Sequence, residues 1–342
     1  MKQNNFNFLR FYFAFIVVIG HLIEISNIKA FQKFAPYFNT YISVTAFFCI
    51  SGFLISRSYL NTPNLKDYFK KRAARLLPAY LFIIFTCAIF LSLLSEYSFS
   101  EYFTHPVLFK YLFANLSFLN FIQPCLPGVF SNEISSCTVN AALWTLKIEV
   151  SFYLIIPIIL YLTKKIRLKY LLFIGIYLLS IIYRNTFEYL STLNGVGYYT
   201  IIARQLPGFM SYFVCGIALY YYFEFFIRNK KILLFFSVLI FILERKFGVE
   251  FLSPLALSII VFFIAFSFKQ LNGFAKHGDI SYGIYIFHYP IMKIVTSLGF
   301  FSKYNPVVVS LFIIILVLLA GYASWHLIEK RFLKISHSTR IQ

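Results

Sequence analysis

The chain is 342 residues long, 60% hydrophobic and only 13% charged, with a formal net charge of +19. Soluble domains carry about 25% charged residues, and a water-soluble fold of this size could not hide so much apolar surface, so lipid is the solvent for most of the chain. The basic excess is read as cytoplasmic-loop charge; a nucleic-acid partner is excluded, because it needs a basic face on a soluble module and no soluble stretch is long enough.

Apolar runs able to cross a bilayer core of roughly 30 Å lie near 8–26, 38–56, 76–95, 143–163, 168–184, 200–223, 231–244, 251–268, 280–298 and 306–327. They predict an all-α integral membrane protein, a bundle of about ten transmembrane helices. We expect one membrane domain over 1–342, with its core at about 5–328 and no fused soluble domain. The first run carries Arg10, His21 and Glu24 and no small-residue cleavage site follows, so it is expected to be retained rather than removed as a signal peptide. The Phe and Tyr abundance (45 and 26) fits helix faces and interfacial belts.

Charge sets the orientation. Arg57, Lys66, Lys70, Lys71, Arg72 and Arg75 crowd the loop after the second run, and Lys164, Lys165, Arg167 and Lys169 follow 143–163. Both loops are assigned to the cytoplasm. Two cytoplasmic loops enclose an even number of crossings, so the apolar stretch near 107–122 is expected to be re-entrant or to lie at the outer interface. The same rule places Arg228, Lys230 and Lys231, then Lys269 and Lys276, then Lys330, Arg331 and Lys334 inside, so both termini are expected to be cytoplasmic. The outer segment 96–142 holds Cys125 and Cys137, which suit a disulfide in an oxidising compartment; the alternative is two free thiols. Cys49, Cys87 and Cys215 fall within runs and read as packing residues.

Ionisable groups inside a bilayer are costly, which makes each a functional candidate. Arg10 and His21, eleven residues apart, return to one helix face about 16 Å apart along the axis. Glu24 lies one turn beyond His21. Arg10 can snorkel to lipid phosphates. His21 is deeper, and is either a hydrogen-bonded packing residue or a general base. Glu149 sits inside the run that opens Leu143-Trp144-Thr145-Leu146-Lys147-Ile148-Glu149. A buried carboxylate needs a partner or a proton; the expected partner is His21, and the alternative is a polar clamp between helices. Arg72 and Arg75 share a face at i and i+3, and a guanidinium pair at a cytoplasmic mouth suits phosphates, although positive-inside bias alone would also explain them. His288 falls near mid-membrane, beside Pro290, which frees a backbone carbonyl and invites a kink. His326 and Glu329 read as an interfacial anchor. No metal site is expected.

Taken in order, these segments resemble the acyltransferase type 3 family of membrane acyltransferases. Arg10 and His21 resemble its basic residue and histidine eleven positions on. Phe47-Phe48-Cys49-Ile50-Ser51-Gly52-Phe53-Leu54-Ile55 resembles its Phe-Phe-x-Ile-Ser-Gly-Phe-Leu-Ile signature. Arg72-Ala73-Ala74-Arg75-Leu76-Leu77-Pro78 is similar to its Arg-x-x-Arg segment. Trp144, Leu146, Glu149, Phe152, Tyr153 and Pro157 resemble a fourth motif, and Ser281, Tyr282, Tyr285, His288 and Pro290 a fifth.

The resemblance implies O-acylation, most often O-acetylation, of a surface glycan or its lipid-linked precursor. It implies acetyl-CoA or another acyl-CoA as donor substrate, and no permanently bound cofactor. It further implies a multi-pass protein of the bacterial inner (cytoplasmic) membrane, surrounded by membrane lipids. Some members carry a fused extracytoplasmic esterase-like domain; none is expected here, so either direct transfer or a separate extracytoplasmic partner is implied. Joined to the physical reading, His21 and Glu149 are the expected catalytic pair, with His21 as general base or acyl acceptor. Arg72 and Arg75 would hold the donor phosphates, and Arg10, Tyr153, Tyr282 and His288 would assist or serve the oxyanion. The rival reading is a transporter or flippase, which would also bury charges but usually shows an internal repeat; none is detectable.

Overall fold

A computed structural model of the chain describes residues 4–131, 136–274 and 278–333. Lys276 and Lys334, assigned above to cytoplasmic segments, lie outside the described residues, as does the side chain of Lys269. Among the described residues all regular structure is helical, as expected for a backbone that must satisfy its own hydrogen bonds in lipid. The principal helices are α1 (Phe6–Ser26), α2 (Thr40–Leu60), α3 (Leu65–Phe90), α4 (Pro106–Leu116), α5 (Trp144–Lys165), α6 (Lys169–Asn194), α7 (Leu206–Tyr221), α8 (Phe223–Phe247), α9 (Ser253–Ser267), α10 (Ser281–Ser297) and α11 (Pro306–Ala323). A π-helical turn, Ser324–Glu329, continues α11.

Each of the ten apolar runs coincides with helix. Seven helical stretches among the described residues are long and apolar enough to cross a membrane: Phe6–Ser26, Ala35–Leu60, Leu65–Leu94, Ala141–Lys165, Lys169–Asn194, Gly197–Tyr221 and Pro306–Leu333. The other three runs lie in α8, α9 and α10. The helices α9 and α10 are shorter, at 15 and 17 residues. By contrast α8 extends to 25 residues because Glu224, Arg228, Lys230, Lys231, Arg245 and Lys246 continue the helix past its apolar centre; Lys, Arg and Glu are good helix formers. The 107–122 stretch contains only the 11-residue α4. At 1.5 Å per residue that is about 16 Å, roughly half the hydrocarbon thickness.

The chain forms two compact units. The first comprises residues 1–10, 41–68 and 148–276. Its centre is the close approach of α2 and α7. A Cβ on Gly52 would lie 2.0 Å from the Phe213 carbonyl oxygen, and one on Gly216 would lie 2.1 Å from that of Cys49. Only glycine lets the two backbones meet in this way. Aromatic rings fill the space around the contact: Phe152 stacks on Phe213 at 3.9 Å between centroids, Phe48 packs on Phe152 at 5.2 Å, and Phe53 meets Phe262 at 5.0 Å. The Asn5 side chain donates to the carbonyls of Ile264 and Phe268, tying the start of the chain to the end of α9. Sequence reasoning passed over Arg184 of α6. It is 2% exposed, and its guanidinium donates to the Tyr41 hydroxyl and the Glu250 carbonyl.

The second unit comprises residues 11–40, 69–147 and 277–342. Here α10 crosses α11 at a pair of glycines, where a Cβ on Gly283 would lie 2.9 Å from the Gly321 Cα. The Tyr80 hydroxyl of α3 donates to the Asn115 carbonyl at the end of α4. Cys125 and Cys137 are joined by a disulfide, with Cα atoms 5.3 Å apart. The loop they close is tied to α10 by Lys293, whose fully buried ammonium donates to the Ser136 carbonyl at 2.7 Å. Cys49, Cys87 and Cys215 are free and buried.

Candidate active site

Two histidines from opposite ends of the sequence meet in the second unit. His21 Nδ1, on α1, lies 2.8 Å from His288 Nε2, on α10, across 267 positions of sequence. The ring planes differ by only 10°, and the centroids are 5.1 Å apart. That separation is the N···N distance plus roughly one ring radius at each end. The imidazoles are therefore nearly coplanar and edge to edge, with each nitrogen lying along the other's in-plane axis. His288 is fully buried; His21 is half-buried and is the more exposed ring of the two. Tyr289 closes on His21 edge-on, with centroids 5.5 Å apart. The Tyr285 hydroxyl, on the turn before His288, pairs with Thr145 Oγ1 at 2.8 Å.

Local backbone chemistry holds this stretch. Pro290 has no N–H to give to the carbonyl four residues back, that of Ile286. The buried Asn140 side chain donates to that carbonyl at 2.9 Å, so the orphaned acceptor is satisfied from outside the helix. The same arrangement recurs in the first unit. Pro157 of α5 orphans the Tyr153 carbonyl, and the hydroxyl of fully buried Tyr68 donates to it at 3.1 Å. Tyr153 in turn donates its own hydroxyl to Glu149 Oε1, one helical turn earlier. Sequence reasoning identified both prolines and missed both partners. For Asn140 the one signal was a polar residue among apolar neighbours just before the Trp144 motif; Tyr68, set between Asp67 and the basic run that leads into Arg72, offered none.

A third cluster occupies the start of α10. Arg75 of α3 pairs with Asp279 at 2.7 Å and with Glu329 at 3.4 Å. The Ser281 hydroxyl donates to Asp279, and the Ser324 hydroxyl to Glu329 at 2.9 Å. The Tyr282 hydroxyl donates to the Leu76 carbonyl at 2.9 Å, while its ring and that of Trp325 each lie 5.9 Å from the guanidinium. Glu329 is 1% exposed. This corrects its reading as an interfacial anchor, because the carboxylate is buried and joins the π-helical turn to α3.

The expected site residues thus form three groups. His21 is joined to His288. Arg75 is joined to Tyr282 and two carboxylates, with half-buried Arg72 one turn earlier on α3. Glu149 is joined to Tyr153 in the first unit, to which Arg10 also belongs. The partner found for His21 is His288. Glu24, one turn on, is exposed.

Among known proteins, the acyltransferase domain family matches residues 3–326. An O-acetyl transferase of Shigella phage Sf6 is 26% identical over 339 residues, which is 97% of this chain and 96% of that protein. Nodulation protein 10 of Rhizobium leguminosarum bv. viciae is 28% identical over 169 residues, 46% of this chain and 44% of that protein. Comparison with solved structures gives no match. With a family match over nearly its whole length and a helical fold rich in membrane-length apolar segments, the chain belongs to the acyltransferase type 3 family and is a membrane acyltransferase.

Proposed function

We propose that the protein is an O-acetyltransferase that moves an acetyl group from cytoplasmic acetyl-CoA to a hydroxyl of a surface glycan or its lipid-linked precursor, across the bacterial inner membrane. The observation that carries this reading is the His21–His288 pair, an imidazole couple with one half-buried ring inside an acyltransferase chain. The full-length likeness to an O-acetyl transferase supports acetyl as the transferred group.

In this reading His21 takes the proton of the acceptor hydroxyl as that oxygen attacks the thioester carbonyl. The tetrahedral intermediate so formed collapses, the carbonyl re-forms as the C–S bond breaks, and coenzyme A leaves as a thiolate. The proton held by His21 passes to the sulfur, and the acetyl ester and free coenzyme A are released. Glu149, held by Tyr153, is the other proposed catalytic residue. Arg72 is the proposed first contact for the donor phosphates. Arg75, engaged by Asp279 and Glu329, joins it by holding the mouth of α3 and α10 in place. Arg10 is proposed to steady the pantetheine arm.

The test uses proteoliposomes with acetyl-labelled acetyl-CoA on the cytoplasmic side and glycan acceptor on the other. Covalent label on the glycan, dependent on the protein, is expected. Passage of label across the membrane with none attached to glycan would instead identify a transporter.

A further inference from the structure

We propose that His288 is a positioning residue that fixes the tautomer of His21, keeping the His21 proton on Nδ1 and leaving Nε2 as the basic atom. This rests on the reading of His21 as the base that activates the acceptor hydroxyl.

The argument runs along one chain of hydrogen bonds. The Ile284 carbonyl lies 3.3 Å from His288 Nδ1. A carbonyl oxygen only accepts, so His288 Nδ1 carries a proton. In a neutral ring His288 Nε2 then holds a lone pair. That lone pair faces His21 Nδ1 at 2.8 Å, nearly in the plane of both rings. Two lone pairs at this distance would repel, so His21 Nδ1 must donate. The proton of a neutral His21 therefore sits on Nδ1, and its Nε2 is unprotonated.

The reverse polarity would require His288 to carry protons on both nitrogens. That would place a full positive charge on a ring with no solvent exposure, where a neutral ring already satisfies every contact described. The device matches the outer-sphere partners that fix the tautomer of metal-bound or catalytic histidines, with an imidazole where a carboxylate commonly stands.

The arrangement also serves the step itself. When His21 Nε2 accepts the hydroxyl proton, the Nδ1–H···Nε2 contact becomes charge-assisted and strengthens. His288, fully buried, acts through His21 without touching the reactants. Its own position is set by the turn that Pro290, Ile286 and Asn140 hold.

Two measurements test this. Ring-15N histidine labelling of the full-length protein in nanodiscs, assigned with His21→Gln and His288→Gln, should show His21 protonated at Nδ1 and bare at Nε2. In parallel, His288→Met keeps bulk but removes the acceptor, whereas His288→Gln restores a carbonyl oxygen near the Nε2 position. The Met variant should lose roughly 100-fold or more in kcat with an unchanged KM for acetyl-CoA, the scale of a general base's contribution. The Gln variant should recover much of that loss. A wild-type His21 protonated at Nε2, or a Met variant with wild-type kcat, would overturn the proposal. The labelling result stands apart from turnover: a protein that transfers no acetyl would defeat the functional reading, while the 15N spectrum would still decide the tautomer.

Discussion

At the scale of single residues, the reactive stretches are held by buried groups that answer for missing backbone hydrogen bonds. Tyr68 caps the carbonyl that Pro157 leaves open, next to Glu149 and Tyr153. Tyr68→Phe should cost about 1–3 kcal/mol, the penalty for a buried acceptor left unpaired. Adding Pro157→Ala should recover part of it, because alanine supplies the N–H that the Tyr153 carbonyl lacks; thermal unfolding of the two single variants and the double variant closes the cycle. Arg75 makes a similar case with charge. Arg75→Ala strands the buried Glu329 carboxylate and should destabilise by roughly 3–5 kcal/mol. Arg75→Ala combined with Glu329→Gln should be more stable than Arg75→Ala alone. A loss of donor affinity with unchanged stability would point instead to direct phosphate binding. Glu329 shows why such residues are misread from sequence. It stands among basic residues at the end of an apolar run, and its partner Arg75 is 254 positions away.

At the scale of helices, sequence gives existence and rough extent well, and pairing poorly. Apolar runs found every long helix because lipid forces an apolar segment to be helical. The same runs could not show which helices touch, since nothing in the spacing of α1 predicts that His21 faces α10. The Phe-Phe-Cys-Ile-Ser-Gly-Phe-Leu-Ile stretch shows what a motif can mean physically. Its glycine is the point where α2 meets α7, and its neighbours Phe48, Cys49, Ile50 and Phe53 are buried packing residues. Gly52→Ala should therefore lower the unfolding temperature, since a methyl 2.0 Å from a backbone oxygen forces two helices apart. Gly175 in α6 is the contrast, because a Cβ there meets nothing within 4 Å. Gly175→Ala should be neutral or stabilising by up to about 1 kcal/mol. Thermal unfolding in one detergent compares the two directly, and equal effects would contradict the packing argument.

At the scale of the whole molecule, the charge pattern proposes ten crossings, with both termini in the cytoplasm and α4 at the outer face. Single-cysteine labelling tests it: Lys165→Cys should react with an impermeant thiol reagent only from the cytoplasmic side, and Lys110→Cys only from outside. Reaction of Lys110→Cys from the cytoplasm would invalidate the even-crossing argument. The reaction itself was legible only through ordered motifs, because composition and periodicity define a membrane bundle and not its chemistry. The account depends most on His21, and one measurement addresses it directly: the kcat of His21→Ala for acetyl transfer from acetyl-CoA to the glycan, in protein that unfolds at the wild-type temperature. Loss of a general base predicts a fall of roughly 100- to 10,000-fold, and transfer at the wild-type rate would contradict the account.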